Sequence, residues 1–203
     1  MRLAIGVMGS ASGEIDPAVA RRVRRMGAAV AQAGCALITG ACPGLPQEAV
    51  LGAREAGGLV IGISPALSEA EHLNRYGSPT HGFDVLIYTG SGLMGREVVN
   101  IRSSDIVFIV GGQSGTLGEF SIAYDEGRLI GVLEGSGGIA DLLPQIIASL
   151  HKHTGAVVIY DDDPQRLVQT CIEYYENEHF RHPHVFHANG SATARPTDRP
   201  AAR

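Results

Sequence analysis

The sequence predicts an α/β fold: a single-domain, doubly wound, mostly parallel sheet (Rossmann-like) with helices on both faces. Two observations support this prediction. Short apolar runs alternate along the chain with segments of helical periodicity. Several of these runs are unbroken stretches of Val, Ile and Leu, which is typical of parallel strands covered on both faces. The domain is expected to span 1–177, and 178–203 are expected to form a disordered tail.

The first strand and the first helix have clear boundary signals. Residues 2–8 form an apolar run that ends in a glycine-containing turn. Asp16 is the predicted N-cap, Pro17 suits the first helical position, and Gly34 ends the helix. Four arginines crowd this helix, and we interpret them as a solvated face rather than a phosphate-binding patch: Arg21, Arg22, Arg24 and Arg25.

The remaining elements repeat the same alternation. Residues 64–83 contain prolines and only weak periodicity, so this segment is predicted to be a loop with at most one helical turn. Further strands are predicted over 35–39, 59–63, 84–88, 105–110, 129–133 and 156–160. Further helices are predicted over 46–56, 96–102, 116–127, 139–150 and 164–175, the last capped by Asp163.

Composition excludes several classes of function. The net charge of −5 offers no general attraction to nucleic acid, and no apolar run reaches the length of a membrane span. The three cysteines form neither a disulfide framework nor a zinc pattern, and the N-terminus lacks a signal peptide, so a cytoplasmic location is expected. A Schiff-base mechanism would have to use Lys152, the single lysine.

Four turns rich in Gly, Ser or Thr are predicted at the carboxyl ends of strands, where open parallel sheets bind ligands. They cover 9–13, 39–44, 89–95 and 111–116. The last is the sharpest, because a strand runs into Gly111 and a helix begins inside the turn. Its backbone amides and the positive end of the helix dipole favour a phosphate. The turn lacks the Walker A ending, and 9–13 lacks dinucleotide spacing, so a mononucleotide or sugar phosphate fits best.

Two charged residues beside these turns are candidate catalytic groups, each with a structural alternative. Glu119 stands three residues after Thr116, which is the spacing of a capping box. A carboxylate near a phosphate-binding helix start is useful instead if a glycosidic bond is the target. Arg96 is predicted to begin a helix, where its charge opposes the dipole. Binding of a phosphate or carboxylate would explain this arginine, and an ordinary surface position is the alternative.

These motifs resemble those of a known family. Residues 111–119 are similar to the Pro-Gly-Gly-x-Gly-Thr-x-x-Glu signature of the LONELY GUY (LOG) proteins, and 92–97 match that family's arginine motif in register. The likeness covers about residues 2–175. It implies a Rossmann-like fold, a homodimer or higher homo-oligomer, and hydrolysis of a nucleoside 5′-monophosphate to free base and ribose 5-phosphate, as in cytokinin activation.

By this resemblance Arg96 and Glu119 form the catalytic pair, and Gly112, Gly115 and Thr116 hold the phosphate. The wider set of candidate ligand-binding residues comes from the four turns: Gly9, Ser10, Gly40, Gly92, Gly111, Gly112, Ser114, Gly115 and Thr116. The chain departs from the hydrolase pattern at three positions, with Gly at 111, Gln at 113 and Glu in place of Lys at 97. These departures resemble relatives that include molybdenum-cofactor carrier proteins.

Two functions therefore stay open: a nucleotide N-glycosidase, and a protein that binds or carries a nucleotide or a phosphorylated pterin without reaction. The lysine decarboxylase label common in this family does not fit, because Lys152 lies far along the chain from the glycine turns. Binding of nucleic acid or a membrane is not expected. We also predict neither a resident cofactor nor a metal: His72 and His81 are interpreted as solvated loop residues, and the histidines at 179, 182, 184 and 187 as a solvated cluster.

Overall fold

The structure, a computed structural model, describes residues 2–179. The strands are β1 (Ala4–Gly9), β2 (Ala36–Thr39), β3 (Leu59–Ser64), β4 (Val85–Tyr88), β5 (Ile106–Val110), β6 (Leu129–Leu133) and β7 (Val157–Asp161). The helices are α1 (Pro17–Gln32), α2 (Leu45–Glu55), α3 (Glu69–Asn74), α4 (Gly92–Arg102), α5 (Ser114–Asp125), α6 (Gly138–Ser149) and α7 (Pro164–Asn177). Apart from its first two residues, the predicted tail lies outside the described residues.

The sheet has the order β4-β3-β2-β1-β5-β6-β7, and all of its strand pairs are parallel. The prediction of a Rossmann-like sheet is confirmed, and it is parallel throughout. β1 and β5 are neighbours, and the chain builds the sheet outward in opposite directions from them. Gly9 pairs with Val110, so both strands end at the same level. This edge is the topological switch point, where ligands bind in sheets of this type.

The core has one layer on each face of the sheet, as predicted. On one face α1, α2 and α7 bury an apolar cluster that includes Met26, Val50 and Leu167. On the other face α4, α5 and α6 bury Ile101, Phe120 and Leu143. These side chains are at most 1% exposed, which is how unbroken apolar strands are covered on both sides. The rigid layers hold the loops of the switch point between them.

The predicted boundaries of α1 are confirmed by its cap. The Asp16 Oδ1 accepts a hydrogen bond of 2.7 Å from the Ala18 amide, and Pro17 is the first helical residue. The arginines of this helix were predicted to form a solvated face, but Arg22 has a structural role. Arg22 donates to the carbonyl oxygens of Glu134, Gly135 and Asp162, and so ties α1 to the other half of the sheet. Because these hydrogen bonds occupy the Arg22 guanidinium, this side chain stabilises the fold and does not serve as a phosphate-binding group.

The segment after β3 contains a short helical segment within a loop, as predicted, but differs from the prediction at His72. A short helix, α3, occupies part of the expected loop, and His72 on it is fully buried rather than solvated. The ring of His72 is 2.8 Å from Ser64 Oγ and 3.0 Å from the Pro79 carbonyl oxygen. These two bonds fasten α3 to the end of β3, so His72 has a structural role. His81 is exposed, as expected.

No helix within residues 2–179 has both the length and the apolar character needed to cross a membrane.

Candidate functional site

A cleft of about 200 Å³ lies at the switch point, beyond the ends of β1, β2 and β5. Its walls come from the turns after these strands and from the first halves of α4 and α5. Predicted site residues that line it are Gly9, Ser10, Gly40, Arg96, Ser114, Gly115, Thr116 and Glu119. Segments far apart in sequence therefore meet at one edge of the sheet, as the strand order requires.

The start of α5 faces this cleft. The helix begins at Ser114, after Gln113, whose side chain makes no capping hydrogen bond. The amides of Ser114, Gly115 and Thr116 lie in the first turn, where a helix has no carbonyl partners to offer. Together with the positive end of the helix dipole, these amides form a site suited to an anion. The predicted capping box is wrong, because Thr116 is the third residue of the helix and not its N-cap.

Arg96 lies in the interior of α4 and not at its start. The helix begins four residues earlier, at Gly92, so the expected conflict between the arginine and the helix dipole does not arise at this position. The predicted start was late because residues 92–95 are rich in glycine, which has a low helix propensity. Arg96 instead points inward and is 7% exposed, which excludes the surface alternative.

Arg96 and Glu119 form a buried ion pair. The Arg96 Nη1 lies 3.6 Å from the Glu119 Oε1, and both side chains are 8% exposed. The guanidinium also lies against the backbone of Gly40, where any Cβ would overlap its Nη1. A side chain at position 40 would therefore displace the guanidinium from its present position. The sequence predicted these residues to act together, and the structure brings them into contact.

The carboxyl group of Glu119 has an unusually high pKa for a glutamate. Burial raises its pKa from 4.5 to about 7, because a charged carboxylate is poorly solvated there. Arg96 and a hydrogen bond from Asn100 favour the charged form, whereas nearby Glu97 disfavours it. Both protonation states are consequently populated near neutral pH. A carboxyl group with this property can accept and return a proton during a reaction.

Glu97 is a cleft residue that the sequence analysis did not propose as part of the site. Its side chain is 5% exposed, and burial raises the pKa of its carboxyl group. The Glu97 Oε1 lies 3.5 Å from the place that a Cβ on Gly115 would take, so this carboxylate flanks the first turn of α5. Its Oε2 has no hydrogen-bond partner among the described residues. The available signal was the departure from the family pattern directly after Arg96.

Two more buried atoms beside Glu97 lack partners within the described residues: the Nε of Arg96 and the Oδ1 of Asn100. Asn100 is fully buried, and its amide nitrogen lies 3.0 Å from the sulfur of Met8. An unpaired buried polar group costs about 1–3 kcal/mol. Arg96 and Glu97 line the cleft, so their two unpaired atoms indicate a place where a polar ligand would complete the hydrogen bonds.

Cys42 also lines the cleft and was not predicted as a site residue. Burial raises the pKa of its thiol to about 11, so it is present as the neutral thiol at pH 7. The preceding residue, Ala41, has a positive φ of 50°, and its amide donates to Thr39 Oγ1. The turn after β2 thereby directs Cys42 toward Arg96 and Glu119.

Three of the glycines that were predicted to bind the ligand do not line the cleft. Their amides make hydrogen bonds that hold the surrounding turns in place. The Gly111 amide donates to Ser136 Oγ, and the Gly112 amide donates to Ser10 Oγ. The Gly92 amide donates to the carbonyl oxygen of Pro65. These internal bonds occupy the amides, so the anion site is reduced to the first turn of α5.

Within residues 2–179, no group of three or more His, Cys, Asp or Glu side chains is arranged to hold a metal ion. Of the histidine cluster near the tail, only His179 falls in this range, and it is buried rather than solvated. His182, His184 and His187 lie outside the described residues. The absence of a metal stays a prediction.

Fold and cleft together define a Rossmann-like α/β protein with a helix start and a buried Arg–Glu pair at the switch point. The chain belongs to the SLOG cluster4 family, whose model matches residues 2–168. The predicted kinship with LOG-like proteins is therefore confirmed at the level of this superfamily. An uncharacterised protein of Archaeoglobus fulgidus is 35% identical over 130 residues, which is 64% of this chain and 79% of the relative.

Solved structures share the fold over most of the chain. The X-ray structure of TM1055 has a TM-score of 0.73 and 25% identity, and the match covers 84% of this chain and 99% of that one. The molybdenum cofactor carrier protein of Chlamydomonas reinhardtii has a TM-score of 0.68 and 25% identity, over 87% of this chain and 100% of that one.

Proposed function

We propose that this protein is an N-glycosidase of nucleoside 5′-phosphates. The 5′-phosphate binds the first-turn amides of α5, and the ribose lies beside Arg96 and Glu119. The observation that carries the proposal is the buried Arg96–Glu119 pair at 3.6 Å, in which the pKa of Glu119 is raised to about 7. Helix rise supports the fit, because Glu119 lies about 5–8 Å along the axis from the first turn.

The proposed reaction joins water to the anomeric carbon of the ribose while the bond to the base breaks. Ionised Glu119 accepts a proton from the attacking water and stabilises the positive charge that develops on the ribose ring. The Arg96 guanidinium holds Glu119 in place and donates hydrogen bonds to the ribose. The base leaves with the bonding electron pair and takes up a proton, which yields free base and ribose 5-phosphate.

Release of free base tests this proposal directly. Purified protein is incubated with AMP, GMP, CMP, UMP and N6-isopentenyl-AMP, and the products are separated by chromatography. We expect base and ribose 5-phosphate in equal amounts from at least one substrate, and none with Glu119→Ala. Equal turnover by wild type and Glu119→Ala would reject the mechanism.

A second candidate is a carrier that binds a phosphorylated pterin cofactor without reaction. Two observations favour it. Glu97 replaces the lysine of the hydrolase pattern, and the structural neighbours include proteins described as molybdenum cofactor carriers or binders, such as that of Rippkaea orientalis at 25% identity and a TM-score of 0.69. Thermal stabilisation by a phosphorylated pterin, without base release from any nucleotide, would favour the carrier.

We propose a homodimer as the assembly. Several large apolar side chains are strongly exposed, among them Leu67 at 77% and Met94 at 72%, and the edge strand β4 exposes Val85 and Ile87. An exposed apolar patch next to a free strand edge favours association. Light scattering should give twice the chain mass for wild type and a lower mass for Met94→Glu; a monomeric wild type would contradict the dimer.

A further inference from the structure

A second cavity of about 440 Å³ adjoins the cleft. It lies between the turn after β6 and the start of α1, and its wall includes Ser10, Ser12 and Gln113, which also line the first cleft. The two cavities are therefore neighbours on either side of the residue that precedes α5. Ligands of doubly wound sheets extend across the crevice at the switch point in the same way.

This arrangement puts the anion site between two cavities. The first-turn amides of α5 follow Gln113 directly, so a phosphate bound to them has open space on both sides. A nucleoside 5′-monophosphate would fill the first cleft and end at this point. A phosphate that bridges two groups would fill both cavities.

Charge around the anion site also favours a bridging phosphate. Glu97 flanks the first turn of α5, and Glu119 is close behind. Among the described residues that line the cleft, Arg96 is the single basic side chain. A terminal phosphate places about −1.5 to −2 charges on one phosphorus at pH 7, whereas a phosphodiester or diphosphate bridge carries about −1 on each phosphorus. The phosphorus at the start of α5 therefore carries less negative charge in the bridging form, and the two carboxyl groups repel it less.

The second cavity has the chemistry of a site for a neutral group with hydrogen-bond donors. Its apolar wall includes Ile15, Val19 and Leu45, and three carboxylates also line it: Glu14, Asp16 and Asp141. Asp141 accepts hydrogen bonds from the amides of Gly135 and Gly137, and Asp16 accepts one from the amide of Ala18. Glu14 is therefore the carboxylate of this cavity that no structural hydrogen bond within residues 2–179 occupies. A ribose can donate hydroxyl groups to such a carboxylate while a flat base packs on the apolar wall.

We propose that the natural ligand is a dinucleotide-type molecule, in which a phosphate or diphosphate bridge at the start of α5 joins a nucleoside in the cleft to a second nucleoside-sized group in the adjoining cavity. This inference rests on the anion site of the proposed function and extends its substrate class. It does not require that the bound molecule be hydrolysed.

Calorimetric titration with two probes tests the inference. The probes are AMP and P1,P2-di(adenosine-5′) diphosphate, which carry the same nucleoside and differ in the group attached beyond the phosphate. For wild type we expect the dinucleotide to bind at least tenfold more tightly than AMP. Glu14→Trp, which fills only the second cavity, should bring this ratio down to about one or two. Arg21→Trp is the matched control, because Arg21 is exposed on α1 and lines neither cavity.

The outcomes separate this inference from the proposed function. If AMP binds and releases base but the dinucleotide binds no more tightly, the inference is wrong and the glycosidase stands. If the dinucleotide binds more tightly and no nucleotide releases base, the inference stands and the glycosidase falls. Absence of binding by the dinucleotide overturns the inference, whereas the glycosidase falls only if none of the five nucleotides releases base. An unchanged ratio in Glu14→Trp also overturns the inference, because the second cavity would then not be occupied.

Discussion

The Nη1 atom of Arg96 lies 3.6 Å from the Oε1 atom of Glu119, and this ion pair is almost fully buried beside the start of α5. The two residues come from neighbouring helices, α4 and α5, that pack on the same face of the sheet. Burial of both charges is costly unless they serve each other or a ligand. Arg96 and Glu119 are therefore the strongest candidates for catalytic groups among the residues of the cleft.

Replacing Glu119 by glutamine should stop base release while nucleotide binding is kept. The amide has the shape of the carboxyl group but cannot accept a proton, so turnover should fall by about 10²–10⁴-fold. AMP affinity, measured by titration calorimetry, should change by less than about threefold. If AMP affinity fell together with turnover, the role of Glu119 would be to bind the ligand and not to accept a proton during the reaction.

Glu119 should also make the stability of the protein depend on pH. Its pKa is about 7 in the folded state and near 4.5 in the unfolded chain, so the folded state holds more protons between these values. The contribution of this group to stability is therefore present at low pH and is lost as pH rises through 7. Between pH 5 and pH 8 the free energy of unfolding of wild type should fall by about 2–3 kcal/mol more than that of Glu119→Gln. Urea unfolding at both pH values measures this difference, and parallel curves would contradict the raised pKa.

Removal of the Arg96 guanidinium should weaken ligand binding and also slow the reaction. Arg96→Ala leaves Glu97 and Glu119 without their cation and removes hydrogen bonds to the ligand. AMP affinity should fall about 10–100-fold, as expected for a charge-assisted hydrogen bond. Arg102→Ala, on an exposed position of the same helix, is the control and should bind AMP as wild type does. Equal affinity in both variants would place the ligand away from Arg96.

The sequence was sufficient to predict the sheet and the meeting of the turns after β1, β2 and β5, because both follow from the alternation of strands and helices. The pairing of Arg96 with Glu119 was predicted from the resemblance to the LOG proteins. The helix starts were not. Both α4 and α5 begin in glycine-containing segments whose local propensity favours a turn, and packing against the sheet extends the helices to Gly92 and Ser114.

The shifted start of α4 also explains why Glu97 was missed as a site residue, whereas Cys42 was missed because the backbone of the turn after β2 sets its direction. Which side chains face a cleft depends on the position of the helix relative to its neighbours, and that position is set by contacts distant in sequence. His72 is a similar case. Its burial depends on Ser64, eight residues earlier, and on the Pro79 carbonyl, and no periodic pattern in the segment indicates these bonds.

Loss of the His72 ring should destabilise the fold and leave the cleft functional. His72→Ala removes two hydrogen bonds and leaves the Ser64 hydroxyl and the Pro79 carbonyl without this partner, at a cost of about 2–4 kcal/mol. Urea unfolding should show this loss, whereas His81→Ala, at an exposed position, should cost less than about 1 kcal/mol. Equal stability of the two variants would show that α3 is not fastened through His72.

Glu97 should weaken the binding of terminal phosphates. Its carboxylate flanks the first turn of α5. It repels a terminal phosphate, with about two charges on one phosphorus, more strongly than the nearest phosphorus of a diphosphate bridge, with about one. Glu97→Gln should therefore bind AMP about tenfold more tightly than wild type, and Glu97→Lys more tightly still, while affinity for P1,P2-di(adenosine-5′) diphosphate should rise by less than about threefold. Titration calorimetry at pH 8, where the wild-type carboxylate is more fully ionised, gives the clearest comparison. Glu173→Gln, on the surface of α7, is the control. If Glu97→Gln improves both ligands equally, or neither, Glu97 does not select between terminal and bridging phosphates by charge.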